Sequence, residues 1–168
     1  FIKIEFMRPK ELSDDYTPLI DVFKFIIKKY KNQKITFDEV WAIMPCTPLL
    51  NFNDLRKIST FCKKTKLKKP IISMCRYNPP IQWSYKKISK IFFKPLNIKE
   101  HKKRSQDLSE RFYDSGQFII YSWKFLNKID PTKMRNNFFG YVMPYEKSID
   151  IDNKNDWKLA EIIYRGLR

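Results

Sequence analysis

The order of apolar segments in this 168-residue chain predicts an α/β layered domain with a mainly parallel sheet and one inserted lobe. Three observations carry that expectation. Short apolar runs at Val40–Met44, Ile71–Arg76, Gly116–Trp123 and Phe139–Met143 have strand length and are bounded by polar or Pro residues. Stretches with helical spacing of apolar residues precede, separate and follow them. A Lys-rich, alternately polar and aromatic segment, 82–115, interrupts the series as an excursion from the sheet.

In chain order, Phe1 to Asp15 is polar and turn-rich, and Thr17-Pro18 reads as the N-cap and first residue of a helix. Leu19, Val22, Phe23, Ile26 and Tyr30 give that helix its apolar stripe. Val40–Met44 reads as a buried central strand, broken by Pro45-Cys46-Thr47-Pro48. Asn51 or Asn53 opens a second helix carrying Leu55, Ile58 and Cys62. The second buried strand, Ile71–Arg76, is stopped by Asn78-Pro79-Pro80. Within the excursion, Pro95 to Arg111 reads as a long loop. The strand from Gly116 is followed by a loop or short helix, Phe125 to Asn136, and by the last strand.

Composition narrows the class. Hydrophobic content of 43% with 16% aromatic residues supports a packed core and excludes disorder. Three glycines are too few for a glycine-rich phosphate loop in this sequence. No apolar run is long enough to span a bilayer and no signal-peptide pattern opens the chain, so a cytoplasmic protein is expected. Cys46, Cys62 and Cys75 are odd in number and widely spaced, which supports neither a disulfide framework nor a zinc site. The formal charge of +16 favours polyanionic ligands such as nucleoside triphosphates. Its lysines are spread along the chain, as solvated helix ends and loops would have them.

The most informative stretch is Asp150-Ile151-Asp152. Two acids two residues apart between β-formers would project from one face of a strand. A helix follows, with Trp157, Ala160, Tyr164 and Leu167 on one stripe. Acids at a strand end suit Mg²⁺ and the phosphates it neutralises. The competing reading is an acidic turn that caps the helix.

Four stretches, in order and nearly end to end, resemble one family. Met7-Arg8-Pro9-Lys10-Glu11-Leu12-Ser13-Asp14-Asp15-Tyr16-Thr17 resembles the RPxEL segment of the sugar-acid cytidylyltransferases, the CMP-sialic acid synthetase family. Ile43-Met44-Pro45-Cys46-Thr47-Pro48-Leu49 resembles their QPTSPL loop, with Met44 where Gln is usual. Arg104-Ser105-Gln106-Asp107-Leu108 and Tyr113-Asp114-Ser115-Gly116-Gln117-Phe118 resemble their RxQxL and following glycine segment. Asp150-Ile151-Asp152, with Asp156-Trp157 and Ala160-Glu161, matches their closing DIDxxxDWxxAE element. The third stretch looks closer to pseudaminic acid cytidylyltransferases than to the N-acetylneuraminate enzymes.

The resemblance implies a nucleotidyltransferase domain of Rossmann-like, GT-A type that joins CMP from CTP to a nine-carbon keto-sugar acid and releases pyrophosphate. Such products feed cell-surface or flagellar glycans. It implies Mg²⁺ held by Asp150 and Asp152, nucleotide contacts from Arg8, Asp15 and Thr17, and sugar contacts from Met44, Thr47, Arg104, Gln106, Tyr113 and Gln117. Arg104 would pair its planar guanidinium with the sugar carboxylate. Segment 82–115 would be the lobe of a homodimer. The family's basic, Gly-containing opening loop has no counterpart in this sequence. The chain therefore reads as the C-terminal two-thirds of such an enzyme, inactive toward CTP without that loop. His101, the only histidine, is expected to be a solvated loop residue.

Rival readings are a CMP-N-acetylneuraminic or legionaminic acid synthetase, a basic nucleic-acid-binding module, and an inactive dimerising subunit. The nucleic-acid module is disfavoured because no RNP-like aromatic strand, helix-turn-helix or one-sided basic stripe is present. Neither nucleic acid nor a membrane is an expected partner.

Overall fold

The computed structural model, which describes residues 6–128 and 137–167, is organised around a four-stranded sheet. Its strands are β1 (Glu39–Ile43), β2 (Ile71–Arg76), β5 (Phe112–Ser122) and β6 (Phe139–Val142), in the order β1-β5-β2-β6. A separate two-stranded sheet pairs β3 (Tyr85–Lys87) with β4 (Phe93–Pro95). The helices are α1 (Leu19–Asn32), α2 (Phe52–Thr65), the one-turn α3 (Ile98–His101), α4 (Trp123–Lys128) and α5 (Lys154–Gly166).

Helices cover both faces of the sheet, as expected for a layered α/β domain. Phe118 and Ile120 of β5 turn to one side and meet Ile58 and Cys62 of α2 with Leu67 and Met143. Tyr121 turns to the other and meets Ile20, Phe23 and Ile27 of α1 with Trp123 and Leu126 of α4. Being covered on both faces is why β2 and β5 read as nearly continuous apolar runs.

The sheet is mixed, and the expectation of mainly parallel pairing needs correction. β1 and β2 both pair antiparallel to β5, and only β2 and β6 pair in parallel. Three strands, β1, β2 and β6, share one direction, and β5 runs against them. The reason lies in the excursion. It leaves β2 at Arg76 and re-enters opposite it at Phe112, with the Tyr77 amide donating to the Arg111 carbonyl at 3.0 Å. A connection that returns to the same end of its partner strand closes a hairpin, and hairpin strands are antiparallel.

Two further expectations shift. β1 is an edge strand of the described sheet, not a central one; its apolar character comes from facing α1 through Val40 and Ala42 and α2 through Trp41. Thr17 does not cap α1, because Pro18 is extended (φ −60°, ψ 138°) and occupies the cap position without a side-chain bond. Asp14 takes the turn instead, its Oδ1 accepting from the amides of Tyr16 (2.8 Å) and Thr17 (2.6 Å). Helix α2 starts as Asn51 predicted, with a reciprocal capping box to Asp54. The loop or short helix expected over Phe125 to Asn136 is helical to Lys128, and residues 129–136 lie outside the described residues.

Candidate active site

The carboxyl ends of β1, β2 and β6 lie together at one edge of the sandwich, where open α/β sheets bind ligands. At this edge β5 is distorted. Its register against β2 jumps between Ile72↔Ile119 and Met74↔Asp114, so Ser73 alone faces the four residues from Ser115 to Phe118. The bulge is sustained by the Ser73 hydroxyl, which accepts from the amides of Gln117 (3.0 Å) and Phe118 (3.2 Å). Gly116 sits in it at φ +67°, a conformation that favours glycine. Bulges of this kind re-aim the chain beside functional sites.

Asp150 fills the space that the glycine leaves. A Cβ on Gly116 would stand 2.6 Å from Asp150 Oδ2, so the missing side chain admits the carboxylate. Asp150 Oδ1 is buried and lacks a hydrogen-bond partner, as do Ser115 Oγ and Gln117 Oε1 on either side of Gly116. A buried carboxylate oxygen without a donor in the protein is usually met by a water, a cation or a ligand donor.

Asp150-Ile151-Asp152 is a loop, not the strand end the sequence suggested. The loop is nonetheless fastened to the turn after β1, with the Ile151 amide donating to the Cys46 carbonyl at 3.2 Å. Ile149 and Ile151 pack with Leu49 and Ala160. Both acids bear on the Cys46 thiol, which is held above its ordinary pKa by a hydrogen bond to Asp150, then by burial and the charge of Asp150, with a smaller push from Asp152.

The helix-capping alternative for these acids is removed. Asn153 and Asp156 form the capping box of α5: Asn153 Oδ1 accepts from the amides of Asn155 (2.8 Å) and Asp156 (3.2 Å). Asp156 Oδ2 accepts in return from the amides of Asn153 (3.0 Å) and Asp152 (3.1 Å). The side chains of Asp150 and Asp152 take no part in it.

The other sequence-derived residues divide into two groups. Met44, Thr47 and Gln117 belong to the strand-end cluster. The Met44 amide donates to the Gln117 carbonyl at 2.9 Å, and buried Thr47 donates its hydroxyl to the Met44 carbonyl at 2.7 Å. Gln117 is fully buried, and its Nε2 donates to the Lys147 carbonyl. Tyr113 stands nearby on β5, its ring tilted at 55° against Tyr77 with centroids 4.9 Å apart, its phenol pushed well up by burial and by the neighbouring Cys75.

The remaining residues lie at the surface, with Thr17 half-buried. Arg8 donates from Nε to the Leu12 carbonyl, Asp15 faces solvent, and the Thr17 hydroxyl reaches the Glu11 carbonyl at 3.4 Å. In the excursion Arg104 forks onto Asp107 (2.8 and 3.2 Å), so its guanidinium already holds a carboxylate of its own segment. Gln106 lines a cleft of about 390 Å³ with Arg76, Tyr77, Gln82, Glu110 and Arg111. His101 is packed edge-on against Tyr85, 4.6 Å between ring centroids, and is not the solvated residue expected.

Asp54 and Lys147 were missed by sequence reasoning. Lys147 Nζ donates to both oxygens of Asp54, at 2.9 and 2.7 Å, and both side chains are largely buried. Asp54 was legible only as the third residue of the capping box after Asn51. Nothing in the sequence marked Lys147 among the many lysines.

Among the described residues, no group of three or more His, Cys, Asp or Glu side chains is arranged to enclose a metal. Two carboxylates with an unpartnered oxygen still match the protein share of a Mg²⁺ site, since Mg²⁺ usually takes one or two carboxylates and leaves its other positions to phosphate and water. No helix among the described residues is long and apolar enough to cross a membrane.

No protein-family model matches the chain. It is similar to pseudaminic acid cytidylyltransferases of Campylobacter jejuni subsp. jejuni, one from serotype O:23/36 and one from serotype O:2. Each is 28% identical over 165 residues, covering 97% of this chain and 69% of the relative. That similarity supports a relationship to the sugar-acid cytidylyltransferases.

Proposed function

From that relationship we propose that the protein takes part in transfer of CMP from CTP to a nine-carbon keto-sugar acid of the pseudaminic acid type. The anomeric hydroxyl of the sugar gives up its proton to solvent as its oxygen bonds to the α-phosphorus, the bond from that phosphorus to the bridging oxygen breaks, and pyrophosphate leaves. Reactions of this kind depend on positioning and on charge neutralisation, with little covalent help from the protein.

The observation that carries the reading is the docking of the Asp150–Asp152 loop on the Cys46–Thr47 turn at the strand ends, with helix capping delegated to Asn153 and Asp156. Asp150 and Asp152 would hold Mg²⁺, which supplies Lewis-acid neutralisation of phosphate charge when bound. Asp150 is oriented for this by Gly116, whose lack of a side chain lets the carboxylate approach the bulge. Buried Thr47 and Gln117 fix the floor beside it, with Met44 between them, and Gln117 Oε1 and Ser115 Oγ remain as polar contacts for sugar hydroxyls or amides. In this reading Arg8, Asp15 and Thr17 approach the nucleotide. Arg104, Gln106 and Tyr113 approach the sugar acid, and the excursion pairs two copies of the chain. For Arg104 this requires exchange of Asp107 for the ligand carboxylate.

Pyrophosphate release by the full-length protein tests the proposal, with CTP, Mg²⁺ and pseudaminic, N-acetylneuraminic or legionaminic acid in parallel arms. Release with the first acid above the other two is the expected outcome. Absence of release with all three would refute it.

A further inference from the structure

Building on the proposed metal role of Asp150 and Asp152, we propose that Asp54 and Lys147 are positioning residues whose buried ion pair fixes the Asp150–Asp152 loop for a divalent cation. Lys147 lies three residues before Asp150, in the turn 145–147 that brings the chain from β6 to the acids. Its ammonium grips Asp54 through both carboxylate oxygens, while its own carbonyl receives Gln117 Nε2 from the β5 bulge. One residue thus ties the acidic loop to two elements anchored in the core.

The anchors are rigid for separate reasons. Asp54 belongs to the capping box of α2, where its Oδ2 also accepts the Asn51 amide at 3.0 Å. The same helix plants Ile58 and Cys62 against Phe118, Ile120 and Met143. Gln117 is held by the Ser73 hydroxyl and by the Met44 amide. The acidic loop has a smaller apolar footing, Ile149 and Ile151 on Leu49 and Ala160.

Stability alone is a poor explanation for the pair. Removing two charges from water consumes much of what their attraction returns, and well-packed apolar replacements often fold as well or better. A buried charge pair does what an apolar pair does not: it fixes the register of the loop it holds. The reach and bearing of Asp150 are what a site with near-octahedral demands requires.

Mn²⁺ binding to the full-length protein, followed by the EPR signal of the free ion with CTP present, provides a readout separate from turnover. Asp150→Asn gives the signal of a lost site. Lys147→Met is expected to weaken Mn²⁺ binding at least tenfold, and Lys147→Arg to recover most of the loss. The double variant Asp54→Leu/Lys147→Met removes both charges together, so no unpaired charge is buried and folding is expected to persist, while weak Mn²⁺ binding remains. A double variant that melts cooperatively and binds Mn²⁺ as the parent does would overturn the positioning role and leave the metal reading intact. A parent protein without Mn²⁺ binding sensitive to Asp150→Asn overturns both.

Discussion

The strand-end cluster and the excursion between β2 and β5 are held by opposite means. In the cluster, chain segments far apart in sequence meet through buried contacts: Asp54 with Lys147, Ser73 with Gln117, and Cys46 with Ile151. In the excursion, the ion pairs lie on the surface: Lys103 with Glu100 and Arg104 with Asp107 three residues apart, and Arg76 with Glu110 where the excursion closes on β2. Ile91, Phe92, Leu96 and Ile98 there stand largely in solvent. The cluster is pre-set by the core that folds around it. The excursion is held by surface contacts and leaves apolar side chains open to solvent. If the proposed reaction is right, its carboxylates lie in the first of these regions.

The sharpest way to break this contrast is to neutralise the acids. Asp150→Asn or Asp152→Asn is expected to lower pyrophosphate release by at least about 100-fold while the melting temperature moves little, because removed charge neutralisation weakens the transition state and not the core. Retained turnover would place the chemistry elsewhere. Gly116→Ala attacks the same site through the backbone. It combines a left-handed φ with a clash at Asp150, and is expected to cost about 1–3 kcal/mol in urea unfolding. An unaffected midpoint would mean that the bulge relaxes freely.

Alkaline unfolding sharpens the same comparison. Burial pushes the Cys62 thiol up to about 11 and the Tyr121 phenol up to about 12, and both lie in the sandwich and not in the excursion. The folded state keeps protons that the unfolded chain has released, so stability is unaffected by these groups below pH 9 and falls as pH rises from about 9 to 12. Urea midpoints measured across that range check the sign; a rise would contradict it. The smallest effect is expected at Arg104. Arg104→Ala removes an exposed pair and should change stability by less than about 0.5 kcal/mol. If it also grips the sugar acid, KM for that acid rises about tenfold with KM for CTP unchanged, the loss of one charged contact. No change in either KM would remove Arg104 from the sugar site.

Much of the architecture could be read from local pattern. The strands at 71–76 and 139–142 and the helix opened by Asn51 follow from apolar runs, prolines and a capping signature, all of which act over a few residues. The acids at 150 and 152 stood out for the same reason. The direction of β5 was not legible, because it depends on where a 35-residue excursion, 77–111, brings the chain back. Nor was the start of α1, where extended Pro18 takes the cap position and Asp14 accepts from the amides of Tyr16 and Thr17. Lys147 was hidden by its own abundance: among so many lysines, only the burial of one beside a carboxylate distinguishes it.

By itself the sequence determined which segments become strands and helices, and which residue types are on hand for chemistry. These are matters of side-chain period and backbone preference between near neighbours. Tertiary structure alone decided that Asp150 faces a bulge at Gly116, that Asn153 and Asp156 relieve it of capping, and that Asp54 reaches across the fold to hold its loop. Such choices depend on which distant groups lose water together, and that is settled only when the whole sheet has closed over them.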